Sequence, residues 1–124
     1  MNKYGAERVE RDGIMFDSRA EAGRYRELKL LLEAGVIQDL EVHPRYLLFE
    51  KKVLGNVVVS AIHYTADFEY SEDGKRIVED VKGIVTRDAA LRINLFRRLY
   101  PDKELRIIYN KERRYRRYHG RLLD

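Results

Sequence analysis

The chain has 124 residues, no cysteine and a formal charge of +4. This length allows one core and excludes two. The missing thiols exclude disulfides, thiolate zinc sites and cysteine nucleophiles. No apolar run approaches a membrane span and no apolar signal region opens the chain, so a soluble, cytoplasmic protein without a membrane partner is expected.

The charge is unevenly placed. Residues 1–110 carry 19 basic and 19 acidic side chains, whereas residues 111–124 carry six basic and two acidic. The expected division is therefore one domain over 1–110 and a basic tail over 111–124. A balanced body with a basic end points to a polyanion, nucleic acid before membrane, because no apolar face accompanies the tail's charge.

Residues 7–17 predict a small hairpin, because Asp12-Gly13 suits a two-residue turn and would pair Val9 with Phe16. Ser18 is a good helix N-cap, and Ala22, Tyr25, Leu28, Leu31 and Leu32 follow helical spacing until Gly35. Glu21 has two readings. It can complete a capping box by returning to the Ser18 backbone N–H, or, lying on the stripe of 21, 25, 28 and 32, it can aim a carboxylate inward.

Val36 to Glu50 reads as extended, interrupted by His43-Pro44 and resuming as a strand at Arg45–Phe49. Lys51 to Asn56 predicts a polar turn, followed by a long extended run from Val57 to Tyr70. Asp73-Gly74 sets a second two-residue turn, which places Glu72 opposite Lys75, Tyr70 opposite Ile77, Phe68 opposite Glu79, and Asp67 opposite Asp80. A second helix is expected from Asp88, as N-cap, to Tyr100, with Ala89, Ile93, Phe96 and Leu99 or Tyr100 inward. Pro101 stops it, and Glu104–Tyr109 forms a last strand. The expected order is hairpin, helix, three strands, helix, strand: an α/β domain with a central mixed sheet flanked by two helices.

The second turn carries the chemistry. Side chains alternate along a strand, so Asp67, Asp80 and Lys82 share one face, and directly opposed residues have Cβ atoms about 4.5–5.5 Å apart, where like charges repel. Something positive should lie between the two carboxylates, and a divalent ion with oxygen ligands suits them. Glu79 falls on the other face, and Glu69 shares the face of Asp67 but sits nearer the turn. His43, His63 and His119 lack metal-ligand spacing, which assigns them strand-end or surface roles. Arg87 and Arg92, at the start of the second helix, are placed to reach a phosphate beside Lys82. Arg113, Arg114, Arg116 and Arg117 in the tail would contact a nucleic-acid backbone, with Tyr115 and Tyr118 between them able to stack on bases.

Tyr4-Gly5-Ala6, Asp17-Ser18 with Glu21-Ala22, His43-Pro44, Thr65-Ala66-Asp67-Phe68 and Glu79-Asp80-Val81-Lys82-Gly83 together resemble the PD-(D/E)XK nuclease superfamily. Within it the chain is similar to small phage-encoded proteins related to endonuclease I and Holliday-junction resolvases, with Ala66 in place of the proline of the superfamily's name. The resemblance implies a restriction-endonuclease-like core of helix-strand-strand-strand-helix-strand order. It implies Mg²⁺- or Mn²⁺-dependent hydrolysis of DNA phosphodiesters, on branched DNA such as junctions or forks; cutting both strands of a symmetric junction is most easily done by a two-fold homodimer. It assigns Asp67, Asp80, the Val81 backbone carbonyl and Glu21 to the metal, Lys82 to catalysis, and Arg92 to support of the site. The rival expectations are a non-catalytic DNA-binding module on the same fold, or a nuclease for flaps, single strands or duplex.

Overall fold

A computed structural model describes residues 7–109. Strands β1 (Val9–Arg11) and β2 (Ile14–Phe16) form the first hairpin, pairing Val9 with Phe16, and both turn residues have positive φ, 52° at Asp12 and 79° at Gly13. Helix α1 (Arg19–Glu33) follows, and its Ser18 cap accepts from the Glu21 backbone N–H at 3.2 Å. Between α1 and helix α2 (Arg87–Leu99) run seven strands rather than three: β3 (Gln38–Val42), β4 (Arg45–Phe49), β5 (Lys52–Leu54), β6 (Val57–Val59), β7 (Ile62–Thr65), β8 (Phe68–Glu72) and β9 (Lys75–Lys82). Strand β10 (Lys103–Tyr109) comes last.

The main sheet has the order β10-β9-β8-β3, with β9 antiparallel to β8 and parallel to β10. In chain order its parts and the helices run α1, β3, β8, β9, α2, β10, and β4 to β7 form an excursion between the first two strands. The Asp73-Gly74 turn, with φ of 51° and 77°, gives the predicted register: Glu72 opposite Lys75, Tyr70 opposite Ile77, Phe68 opposite Glu79. Asp67 lies just beyond β8, where its N–H donates to the Glu79 carbonyl at 3.0 Å and continues that ladder.

Alternation along β8 and β9 builds two cores. On one face Phe68, Tyr70 and Ile77 pack with Phe16, Ala22, Tyr25, Leu28 and Ile37 under α1. On the other, Val78, Leu105 and Ile107 pack with Tyr46, Leu48, Tyr64, Ala66, Ile93 and Phe96 under α2. The cap of α2 is Thr86, whose hydroxyl accepts from the Ala89 N–H at 3.1 Å; Asp88 instead lies in the first turn and pairs with Arg92. Sequence pattern alone does not separate two acceptors two residues apart. Leu99 remains half-exposed, and Tyr100 stacks on Phe96 at 5.1 Å in its place.

The expected polar turn at 51–56 is a third hairpin, β5–β6, with Val53 opposite Val58 and Leu54 opposite Val57. All four of these side chains are exposed. Exposed apolar residues on both faces give no one-sided hydrophobic alternation, so the sequence pattern does not reveal this strand pair.

Glu79 ties α1 to the sheet. It is fully buried, and Arg24 donates to both its oxygens, Nε to Oε1 and Nη2 to Oε2, each at 2.7 Å, while the Tyr70 hydroxyl donates to Oε2. Removing one partner of such a pair leaves a desolvated charge. Arg24→Ala is expected to destabilise the domain by about 3 kcal/mol in urea unfolding, and Arg24→Met combined with Glu79→Leu to recover most of that loss. A loss under about 1 kcal/mol for Arg24→Ala would mean that Glu79 is not held as an ion.

Candidate metal centre

Three carboxylates converge where β8 and β9 run out toward Asp67 and Lys82. Glu21 arrives from the first turn of α1, Asp67 from the bend between β7 and β8, and Asp80 from β9; they are 7%, 8% and 2% exposed. Both readings of Glu21 contribute to what is seen. Its N–H uses the Ser18 cap, but its carboxylate turns inward, where the Ser18 hydroxyl donates to Oε2 at 3.4 Å. Its carboxyl meets that of Asp67.

The backbone fixes Asp67 from two sides. On one side its N–H reaches the Glu79 carbonyl, and the Val81 N–H donates to its Oδ2 at 2.6 Å. On the other side its carbonyl accepts from the His43 N–H at 2.8 Å. Asp80 is held by the Tyr64 hydroxyl, which donates to Oδ2 at 2.5 Å, and by Lys82, whose Nζ lies 3.4 Å from the same oxygen. Burial and the Asp80 charge push the Tyr64 hydroxyl's pKa far up, so it remains a donor. Lys82 is partly exposed.

Lys82 does not balance the group by itself. Burial pushes the Asp67 carboxyl well above the usual carboxylate range, and contact with Glu21 and the charge of Asp80 push it further, against the opposing Val81 hydrogen bond. Among the described residues, Arg24 is committed to Glu79 and Glu27, and Arg76 and Lys103 to Glu69. A divalent cation would supply what this donor set lacks, since carboxylate oxygens are natural ligands for such ions.

His43 is the residue that sequence spacing misses. Glu21, His43 and Asp67 each offer a ligand atom, and these atoms lie within 4.8 Å of one another. The surface or strand-end role expected for His43 is thus only half right: it ends β3, but beside the carboxylates. The available signal was the His43-Pro44 interruption. It falls opposite Ala66-Asp67 in a ladder that pairs Val42 with Phe68 before the break and Arg45 with Thr65 after it.

The other candidates separate clearly. Glu69 is not a ligand candidate: Tyr46 donates to its Oε1, and Arg76 and Lys103 donate to its Oε2 at 2.8 and 2.6 Å. Burial alone would raise its pKa, but those donors outweigh burial and hold the carboxyl below its ordinary value. Glu79 is excluded as expected, on the α1 face with Arg24. Arg92 donates to the His63 carbonyl at 2.5 Å and to Asp88 at 3.2 Å, which joins α2 to β7 one residue before Tyr64. Arg87 is exposed at the start of α2. Arg113, Arg114, Arg116 and Arg117 lie outside the described residues. Among the described residues, no helix is long and apolar enough to cross a membrane.

The raised Asp67 carboxyl fixes the sign of a pH effect. A carboxyl that holds its proton more tightly when folded than when unfolded contributes stability below the unfolded pKa of about 4, and loses it as pH rises toward the folded value. In chelator, wild type should therefore lose stability relative to Asp67→Asn as pH rises from about 5 to about 8 in thermal melts. Added Mn²⁺ or Mg²⁺ should restore the wild type and leave the variant unchanged. Parallel melting curves for the two proteins would contradict the crowding of charge at Asp67.

No curated protein and no solved structure matches the chain significantly. Over residues 1–116 the sequence matches the family described as "Protein of unknown function (DUF1064)", and the chain belongs to that family.

Proposed function

We propose that the protein is a divalent-metal-dependent DNA endonuclease with a restriction-endonuclease-like core, acting on branched DNA in replication or recombination. The observation that carries this reading is the convergence of buried Glu21, Asp67 and Asp80 beside Lys82, with Lys82 the cation in contact. The order α1, β3, β8, β9, α2, β10 supports it, because it follows the helix-strand-strand-strand-helix-strand order of the PD-(D/E)XK nucleases that the sequence resembles.

Glu21, Asp67, Asp80 and the Val81 carbonyl would hold Mg²⁺ or Mn²⁺. The bound ion supplies Lewis acidity, lowering the pKa of a water and offsetting charge that develops on the phosphate. The side chains do the positioning. Tyr64 and Lys82 both engage Oδ2 of Asp80 and fix how that carboxylate is turned. Val81 holds Oδ2 of Asp67 in the same way. Lys82 extends from this group toward solvent, where its ammonium can orient a phosphate oxygen or the attacking water. Arg87 and the tail arginines would hold the flanking DNA backbone, which makes binding salt-dependent. A phage-encoded protein of this kind would work in the cytoplasm of its bacterial host.

Two symmetric cuts at a junction call for a two-fold dimer. The β5–β6 hairpin supports that assignment, because a two-stranded hairpin is marginal in water and Val53, Leu54, Val57 and Val58 leave apolar surface for a second copy to cover.

The test is cleavage of four-way, fork, flap, single-stranded and duplex DNA with Mg²⁺, with Mn²⁺ and with chelator. Wild type should cut the branched substrates only with metal, and sediment as a dimer. Asp80→Asn and Lys82→Ala should each lose at least about a hundredfold in rate, the scale of removing a group that stabilises transition-state charge. DNA binding without cleavage would instead identify an accessory module, and cleavage by Asp80→Asn would show that the carboxylates are not the site.

A further inference from the structure

We infer that His43 ligates the divalent ion together with Glu21 and Asp67, and that its nitrogen makes the site select Mn²⁺ over Mg²⁺. This rests on the divalent-ion part of the proposed function and not on DNA cleavage. Oxygen ligands alone, as the sequence suggests, suit both ions. The three side chains that meet within 4.8 Å are not all oxygen donors.

Three observations fix His43 in this role. Its backbone N–H donates to the Asp67 carbonyl at 2.8 Å, and the next pair, the Ala66 N–H to the Pro44 carbonyl at 3.0 Å, locks the following step of the ladder. The His43 backbone therefore cannot drift from Asp67 without breaking the junction of β3–β4 with β7–β8. Its φ is 56°, a left-handed value uncommon outside glycine, where an L side chain costs roughly 1–2 kcal/mol. Among the described residues, the other non-glycine residues with positive φ are Asp12, Asp39 and Asp73, and two of these precede glycine in two-residue turns. His43 precedes proline, whose ring favours extended backbone before it. A residue held in this way beside buried acids marks a site where geometry outweighs local preference. Finally, the His43 ring packs on Phe16, with centroids 5.6 Å apart and planes inclined by 54°, so β2 limits its rotation.

The chemistry then decides between ions. Mg²⁺ is small and hard, prefers oxygen in near-ideal octahedral geometry, and gives up water reluctantly. Mn²⁺ accepts carboxylate oxygen and also stands on the first-row series whose affinity for nitrogen-containing sites rises toward copper. Replacing one oxygen by imidazole therefore favours Mn²⁺ and its first-row neighbours. Glu21 and Asp67 still neutralise the charge, and Asp80 lies close enough to act on Asp67 electrostatically.

The test uses the full chain without DNA. Calorimetric titration at neutral pH should give an Mn²⁺ affinity at least about tenfold above that for Mg²⁺. His43→Ala should bring Mn²⁺ down to the Mg²⁺ level and leave Mg²⁺ nearly unchanged. His43→Asp, which restores an oxygen donor, should recover binding without the preference for Mn²⁺. Circular dichroism melts would establish that each variant folds. In pulsed electron paramagnetic resonance, Mn²⁺ bound to wild type should show coupling to a directly coordinated nitrogen, and His43→Ala should lose it. Equal affinities in wild type, or Mn²⁺ bound without nitrogen coupling, would overturn the inference whether or not the variants fold. Nitrogen coupling in a protein that cuts no DNA would sustain it and refute the nuclease; cleavage with no nitrogen coupling would do the reverse.

Discussion

The structure depends on how Asp67 is fastened between two ladders. Its N–H belongs to the β8–β9 ladder through Glu79, its carbonyl to the β3–β4 side through His43, and its carboxylate to the Val81 N–H. With these three attachments made, the side chain cannot withdraw from Glu21 or Asp80. Carboxylate crowding is thus built into the backbone, and the proposed cation would relieve it.

Comparison among the buried acids gives this arrangement its meaning. Among the described residues Glu21, Asp67, Glu69, Glu79 and Asp80 are all buried. Glu79 and Glu69 are ordinary structural anions: each is held by cationic donors and a tyrosine hydroxyl, and each pins part of the scaffold. Arg24–Glu79 fixes α1, and therefore where Glu21 enters. Tyr46, Arg76 and Lys103 on Glu69 fix β4 and β10 against β8. The same sheet that satisfies two carboxylates so fully sets Asp67 against both Glu21 and Asp80, with Lys82 on Asp80. That contrast within a single domain is a stronger argument for a ligand site than burial or charge alone.

Much of this was legible because it is local. Asp12-Gly13 and Asp73-Gly74 demand positive φ, Ser18 supplies a cap, and strand alternation follows from the turn, so the facing of Phe68 and Glu79 could be written from the sequence. What was hidden depends on contacts between distant segments. His43 gains its position from a ladder to Asp67 that no short spacing encodes. Glu69 resembles a ligand by parity until Lys103, 34 residues away, is seen to reach it. The β5–β6 hairpin has apolar side chains on both faces, so it presents no alternation to read. At α2, Thr86 and Asp88 offer equally good capping chemistry, and the loop's path chose Thr86.

The most direct measurement is an anomalous-difference map, collected at the manganese edge, from a crystal of the wild-type chain soaked in Mn²⁺. The account predicts a peak within bonding distance of the Glu21 and Asp67 carboxylates, at the Asp80 end of β9. Well-ordered carboxylates in the same crystal with no peak between them, or a peak only at surface acids, would contradict it.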